Sequence, residues 1–267
     1  MQMNQSIEGK IVEIMRFPSP NPSVELKVIT YLSNGLRVKG MLAEPIGEGE
    51  YDGFLYLRGG IKNVGKVRPA RIAQFAAEGF IVFAPYYRGN QGGEGNEDFA
   101  GNDREDAFAA FWLLKSLPRV LNVHIFGFSR GGVMALLTGI EFPETASVVT
   151  WGGVSDMSLT YMERKDLRRM MKRVIGGTPQ KYPERYQDRT PIYSLEKLTA
   201  PVLIIHGVND GNVSVEHAYR LERRLRELEK PVDCWYFDEF THYFPPEVNR
   251  KVVSDLSKWM KSQRKRC

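Results

Sequence analysis

The residues with the clearest chemical potential lie in Val123-His124-Ile125-Phe126-Gly127-Phe128-Ser129-Arg130-Gly131-Gly132. A short apolar run passes there through Gly-x-Ser-x-Gly into the helical stretch Val133-Met134-Ala135-Leu136-Leu137. A strand-to-helix turn this tight excludes a β-carbon at Gly127 and Gly131, and its strained backbone presents the Ser129 hydroxyl. Gly132 lets the following helix approach the neighbouring strands. The plain alternative is a glycine-rich loop with an incidental serine; the strand before and helix after favour a nucleophile.

A serine hydroxyl is a weak nucleophile, so it needs a base within reach and a group that orients the base. Four histidines compete. His124 lies inside the strand leading to Ser129. His206 ends the apolar run 202–205 and reads as a packing or loop-bonding residue. His217 falls in the first turn of a polar helix, where a solvated histidine is expected. His242, between a strand and the final helix, is the candidate base. The acid should lie between nucleophile and base in the chain. Asp210, just past a strand's carboxyl end, is the choice; Asp238, four residues before His242, is the second.

The segments around Ser129, His206-Gly207 with Asp210 and Val213, and the late His242 resemble the catalytic domain of the prolyl oligopeptidase family, within the α/β-hydrolases. Tyr87-Arg88-Gly89-Asn90 before Gly92-Gly93-Glu94-Gly95 is similar to that family's tyrosine-arginine-glycine segment. The likeness runs from about residue 24 to 262. It implies an oxyanion hole made by the backbone N–H of Arg130 and a second donor, Gly60 or Ile61, in the loop Arg58-Gly59-Gly60-Ile61. Relatives commonly carry histidine before the two glycines, and prolyl oligopeptidase itself a tyrosine. Arg58 departs from both, and either holds a substrate carboxylate or makes a structural ion pair. Ile61, Tyr86, Tyr87, Trp151 and Phe244, each just past a strand's carboxyl end, are the candidate pocket lining.

The elements that must position these groups follow from periodicity. Residues 7–15 and 24–44 alternate as strands, with the hairpin signal Ser33-Asn34-Gly35 between 24–32 and 36–43. Short strands at 53–57, 79–84, 121–128, 147–151, 201–206 and 232–237 then alternate with helices at about 66–78, 103–117, 130–141, 156–176, 214–229 and 246–264. The helix at 103–117 opens with Asp103 and Asp106, acids suited to a helix amino end, and buries Phe108, Phe111, Trp112 and Leu114. This rhythm predicts one α/β domain over 1–267: an α/β-hydrolase fold with a mostly parallel eight-stranded sheet, helices on both faces and an antiparallel N-terminal hairpin. The long connection 152–199 is the expected cap insertion. Leu167, Met170, Met171 and Val174 there form the inward stripe of a solvated amphipathic helix; its many cations alternatively form a rim for anionic substrates.

At 267 residues, 26% charged and 42% hydrophobic, the chain has ordinary globular composition, and its apolar runs are too short for a membrane span. Met1-Gln2-Met3-Asn4-Gln5 lacks the basic-then-apolar pattern of a signal peptide. Cys234 and Cys267 fit a reducing cytoplasm. The net charge, 37 − 32 = +5, equals the excess in Lys258, Lys261, Arg264, Lys265 and Arg266, read as the solvated end of a last helix rather than a nucleic-acid or lipid contact. No metal spacing, phosphate loop or dinucleotide fingerprint appears, so no cofactor is implied.

The reading is a cytoplasmic serine hydrolase that cleaves an ester or amide of a small substrate through an acyl-enzyme, carboxylesterase-like first. Larger members of the family carry a propeller that filters peptides, for which this chain has no room. The alternatives are an aminopeptidase or short-peptide hydrolase and, from another class, a non-catalytic hydrolase-fold binding protein.

Overall fold

The computed structural model describes residues 7–264. Met1–Gln5 and the cations Lys265 and Arg266, together with Cys267, lie outside the described residues. The elements in chain order are β1 (Ile11–Phe17), β2 (Val24–Ser33), β3 (Leu36–Pro45), β4 (Tyr51–Leu57), α1 (Pro69–Ala77), β5 (Phe80–Pro85), α2 (Arg104–Ser116), β6 (Val120–Phe128) and α3 (Gly131–Glu141). There follow β7 (Ser147–Trp151), α4 (Met157–Glu163), α5 (Arg168–Ile175), α6 (Pro183–Gln187), β8 (Val202–Gly207), α7 (Glu216–Glu227), β9 (Val232–Phe237) and α8 (Pro246–Ser262).

One sheet runs in the order β1-β2-β3-β5-β4-β6-β7-β8-β9. Strands β4 to β9 are parallel, and β1, β2 and β3 pair antiparallel up to β5. The sheet has nine strands where eight were expected. The ninth is β1, whose alternation was visible but whose largely exposed side chains carry no core face; the backbone ladder to β2, Ile11↔Tyr31 through Phe17↔Leu26, holds it. Asn34 (φ 47) and Gly35 (φ 76) turn the β2–β3 hairpin in the left-handed conformation that this pair tolerates best.

Helices cover both faces because a parallel sheet must be buried on both. Along β8, Val202 and Ile204 face one layer, with Leu136, Leu221 and Leu225. Leu203 and Ile205 face the other, with Phe75, Val252 and Leu256 of α1 and α8. The α2 stripe buries Phe108, Phe111 and Leu114, with Trp112 only half-buried. The three described tail cations are tied down: Lys258 to Asp255 at 3.6 Å, Lys261 to the Glu78 carbonyl, and Arg264 to Asp52 at 2.6 Å.

The insertion after β7 is not the single helix expected over 156–176. Asp156 caps α4 by accepting the Ser158 and Leu159 N–H groups at 2.8 and 3.0 Å. Arg164 (φ −96, ψ 78) then leaves the helix, and a short 3-10 turn at Lys165–Leu167 leads into α5. Met171 and Ile175 are buried, Leu167, Met170 and Val174 half-buried, and Arg169, Lys172 and Arg173 face solvent. Among the described residues no helix is long and apolar enough to cross a membrane.

Candidate active site

Ser129 sits at the end of β6 with φ 57, a left-handed conformation that costs a non-glycine residue of order 1–3 kcal/mol. Neighbours hold it there. Its N–H donates to the Trp151 carbonyl at 3.1 Å, and its own carbonyl accepts from Gly132 and Val154, both at 2.9 Å. The flanking glycines are steric requirements: a β-carbon on Gly127 would meet Gly131, one on Gly131 would meet the Leu57 carbonyl, and one on Gly132 would lie 2.7 Å from the Gly153 Cα.

His242 and Asp210 are both buried and joined through Nδ1 and Oδ2 at 2.6 Å. Asp210 Oδ1 accepts the N–H groups of Asn212 (2.8 Å) and Val213 (3.0 Å), so the loop after β8 fixes the carboxylate. Burial pushes the Asp210 carboxyl up, but the His242 bond and these two N–H groups outweigh it and hold it below its ordinary value. Two glycines make the approach possible. A β-carbon on Gly207 would lie 2.6 Å from the Thr241 carbonyl oxygen; one on Gly152 (φ 51) would lie 3.1 Å from His242 Nδ1 and 3.2 Å from Asp210 Oδ2. The Phe128 ring, next to Ser129, lies 4.7 Å from the His242 ring.

The other histidines serve the scaffold. His124 is buried with Nδ1 2.8 Å from Ser147 Oγ. His206 Nε2 donates to the Val213 carbonyl at 2.9 Å, tying the Asp210 loop. His217 overturns its expected solvation: it is 1% exposed, and Nδ1 accepts from the Ser155 and Asp156 N–H groups at 3.2 and 3.4 Å. Asp238 is exposed, and its carbonyl accepts from Asn209 Nδ2 at 2.6 Å, its one hydrogen bond with a side chain among the described residues.

Ser129 and His242 open into one cavity of about 560 Å³, with Gly60, Ile61, Trp151 and Phe244 also in its wall. Thr160, Arg164, Leu167 and Met170 bring the insertion over it. The loop after β4 lies against the serine: a β-carbon on Gly59 would be 2.6 Å from Ser129 Cβ and 3.2 Å from its Oγ.

Two of the sequence-assigned pocket residues are elsewhere. Tyr87 (φ 63) is fully buried between the Arg58 and Arg130 guanidiniums, each 4.9 Å from its ring. Tyr86 lines a separate, smaller cavity. A strand's carboxyl end sets where the chain emerges, but the turn that follows decides which side its rings face.

Arg58 resolves as a structural ion pair. It lies 3.2 Å from both Glu97 oxygens and donates to the Tyr86 and Gly59 carbonyls at 2.7 and 3.0 Å. Arg130 is clamped between Glu97 and Asp103, the latter at 2.8 Å. Asp103 at the N-cap of α2 and Asp106 in its first turn stand at the helix amino end as expected, and both are in addition fully buried counter-charges, Asp106 for Arg88 at 2.8 Å. Burial above all pushes Asp103 up to about 7, against the pull of Arg130. Glu97 and Arg71, which also lines the cavity, were not singled out in the sequence; their partners Arg58, Arg130 and Asn249 lie 33 or more residues away, which no local pattern carries.

A sequence profile of the prolyl oligopeptidase family matches residues 66–266. The chain is 66% identical over 256 residues to the uncharacterized peptidase YtmA of Bacillus subtilis (strain 168), covering 95% of this chain and 100% of that one. Among solved structures it is similar to a Pyrococcus horikoshii acylaminoacyl peptidase, with TM-score 0.77 and 19% identity over 97% of this chain and 43% of that one. It is likewise similar to a Mycobacterium tuberculosis puromycin-hydrolyzing peptidase, with TM-score 0.80 and 20% identity over 91% and 40%. The chain thus spans all of YtmA but about two-fifths of each solved peptidase, and these two likenesses concern the fold.

Proposed function

The chain belongs to the prolyl oligopeptidase family and is a serine hydrolase, and from that premise we propose that it cleaves short peptides through an acyl-enzyme on Ser129. Carboxylester hydrolysis, which the sequence alone put first, becomes the second reaction of the same site, because family membership favours the peptide bond. The observation that carries the reading is the left-handed Ser129 in one cavity with His242, whose Nδ1 is bound by Asp210 at 2.6 Å.

With Nδ1–H held by an ionised carboxylate, the His242 lone pair is on Nε2, where a base for Ser129 needs it. Ser129 Oγ attacks the substrate carbonyl carbon as its proton passes to Nε2. The resulting oxyanion faces the backbone N–H of Arg130 and one from Gly60 or Ile61, each such donor being worth roughly 2.7–4 kcal/mol of barrier. Collapse breaks the C–N bond, and the imidazolium gives its proton to the departing amine. Water then attacks the acyl-enzyme by the same route and frees Ser129. The insertion adds Thr160, Arg164, Leu167 and Met170 to the cavity wall, which supports short peptides as the substrates. Cys234, a free half-buried thiol, suits work in a reducing cytoplasm.

The test is a fluorophosphonate probe, which only an activated serine attacks at neutral pH. Intact-mass analysis should show one adduct, absent in Ser129→Ala. Acetylated dipeptides, aminoacyl-p-nitroanilides and p-nitrophenyl esters then rank amide against ester. No adduct on the folded protein would remove the reading.

A further inference from the structure

The cavity beside Ser129 is lopsided in charge. Arg58, Lys66, Arg68, Arg71, Arg130 and Arg164 line it, and no aspartate or glutamate does among the described residues. Three of these cations are spent: Arg58 on Glu97, Arg130 on Glu97 and Asp103, Arg164 on Asp166 at 2.7 Å. Arg71 is different. Among the described residues it forms no ion pair. Nη1 donates to Gln74 Oε1 at 3.0 Å and to Asn249 Oδ1 at 2.7 Å, and Nη2 is used in neither bond. The guanidinium lies over the Phe75 and Trp151 rings, 4.7 and 5.4 Å from their centroids. Burial lowers its pKa below the ordinary arginine value, against the opposing pull of the neighbouring Tyr56 hydroxyl, as befits a cation placed among neutral groups without a counter-charge.

We propose that Arg71 is the substrate-anion receptor of this site, so that the enzyme prefers short substrates bearing a carboxylate. The inference rests on Ser129 being the nucleophile and adds what that nucleophile is offered. Three features support it. The planar guanidinium presents a fork matched to a carboxylate, in surroundings where a charge-assisted bond is strong. Its orienting ring belongs to Trp151, whose carbonyl binds the Ser129 N–H at 3.1 Å, so the anion subsite is within a short substrate's span of the attacking oxygen. Lys66 and Arg68, both exposed and in the segment just before α1, give the mouth the same sign and draw anions in. The carboxylate-binding role open to Arg58 on sequence thus falls to a residue thirteen positions later.

The carboxylate can belong to the acyl part or to the leaving group, and two matched pairs separate these. The first is the mono-p-nitrophenyl ester of glutaric acid against p-nitrophenyl pentanoate. The second is acetyl-Ala-Ala with a free carboxylate against its amide. In at least one pair the parent should favour the anion in kcat/KM, and Arg71→Gln should lower that anionic-to-neutral ratio by roughly 10–100-fold, the worth of one buried charge-assisted bond. Arg71→Lys, which keeps the charge and loses the fork, should fall between. Fluorophosphonate labelling of each variant reports that the site is folded. A parent that labels and turns over yet shows no anionic preference overturns the proposal. So does a preference that Arg71→Gln leaves intact, which would assign it to Lys66 or Arg68. A parent that neither labels nor turns over would instead sink the reading of the site itself.

Discussion

Replacing Asp210 by asparagine tests the site at the atom where the structure makes the strongest demand. The carboxylate's two oxygens have separate duties, Oδ2 on His242 and Oδ1 on the Asn212 and Val213 N–H groups. An asparagine must divide its carbonyl and amino group between them. With the carbonyl on the loop, its NH2 points at His242 Nδ1, which must then accept. The ring proton moves to Nε2, and the imidazole can no longer take a proton from Ser129. The opposite orientation sets an NH2 against two N–H donors and forfeits two hydrogen bonds, about 1 kcal/mol each. Adding roughly 1.5–3 kcal/mol for the lost charge-assisted bond to His242 gives about 3.5–5 kcal/mol of barrier. At 1.36 kcal/mol per decade, kcat should fall by roughly three orders of magnitude. The assay is steady-state kcat on a p-nitrophenyl ester, with a urea midpoint to show that the variant is folded. Asp238→Asn is the control, since among the described residues only that residue's carbonyl is engaged. An Asp210→Asn enzyme within tenfold of the parent, or a large loss confined to Asp238→Asn, would refute the assignment.

The scaffold should declare itself in acid. His217 is held neutral by the Ser155 and Asp156 N–H groups, and burial first, then the positive charges of His206 and Arg220, push it down to about 3. Its folded pKa lies below the unfolded value near 6.5, so the unfolded chain binds the extra proton and stability falls as pH drops from about 6.5 toward 3. From pH 6.5 to 5 that is roughly 2 kcal/mol, read as a shift in urea midpoint that His217→Gln should largely remove; equal slopes in the two proteins would count against it. Gly59→Ala drives a β-carbon to 2.6 Å from Ser129 Cβ and 2.9 Å from the Phe128 carbonyl, so fluorophosphonate labelling should slow at least about tenfold, with a stability loss of about 1–3 kcal/mol. Gly211→Ala, with no atom within 4 Å of the new carbon, should label at the parental rate, and similar labelling by both variants would remove the steric argument.

What the sequence made legible was local. The Asn34-Gly35 hairpin, the strand–serine–helix turn and the strand ends carrying Asp210 and His242 all follow from periodicity and turn chemistry within a dozen residues. The ninth strand was visible as alternation but not as a sheet member, because an exposed edge strand is recruited by backbone pairing. His217 is buried rather than solvated, and the signal for it is local: with Ala218, Leu221 and Leu225 it lies on the buried stripe of α7, and helical spacing alone assigns it inward. The break between α4 and α5 carries no such signal. Arg164 leaves the helix where its guanidinium reaches Asp166 and the Asn212 carbonyl, the latter 48 residues away.

Charge beside a nucleophile invites a chemical reading, and here most of it is architectural. Arg58 and Tyr87 suggest substrate contacts on sequence, yet Arg58 and the Arg130 side chain converge on Glu97, with the Tyr87 ring packed against both guanidiniums. That one carboxylate binds Arg58 in the loop after β4, the Lys62 N–H of the same loop at 2.7 Å, and Arg130 at the start of α3. The two segments proposed to donate to the oxyanion are therefore joined through a single side chain. Buried ion pairs return little net stability, because the cost of desolvation offsets most of the attraction. What the pair contributes is position: two backbone segments from distant parts of the chain are held where their N–H groups can converge. A cation so completely satisfied has nothing left for a ligand. The same accounting singles out Arg71, which lines the same cavity with neutral partners only and so retains the charge that Arg58, Arg130 and Arg164 have spent.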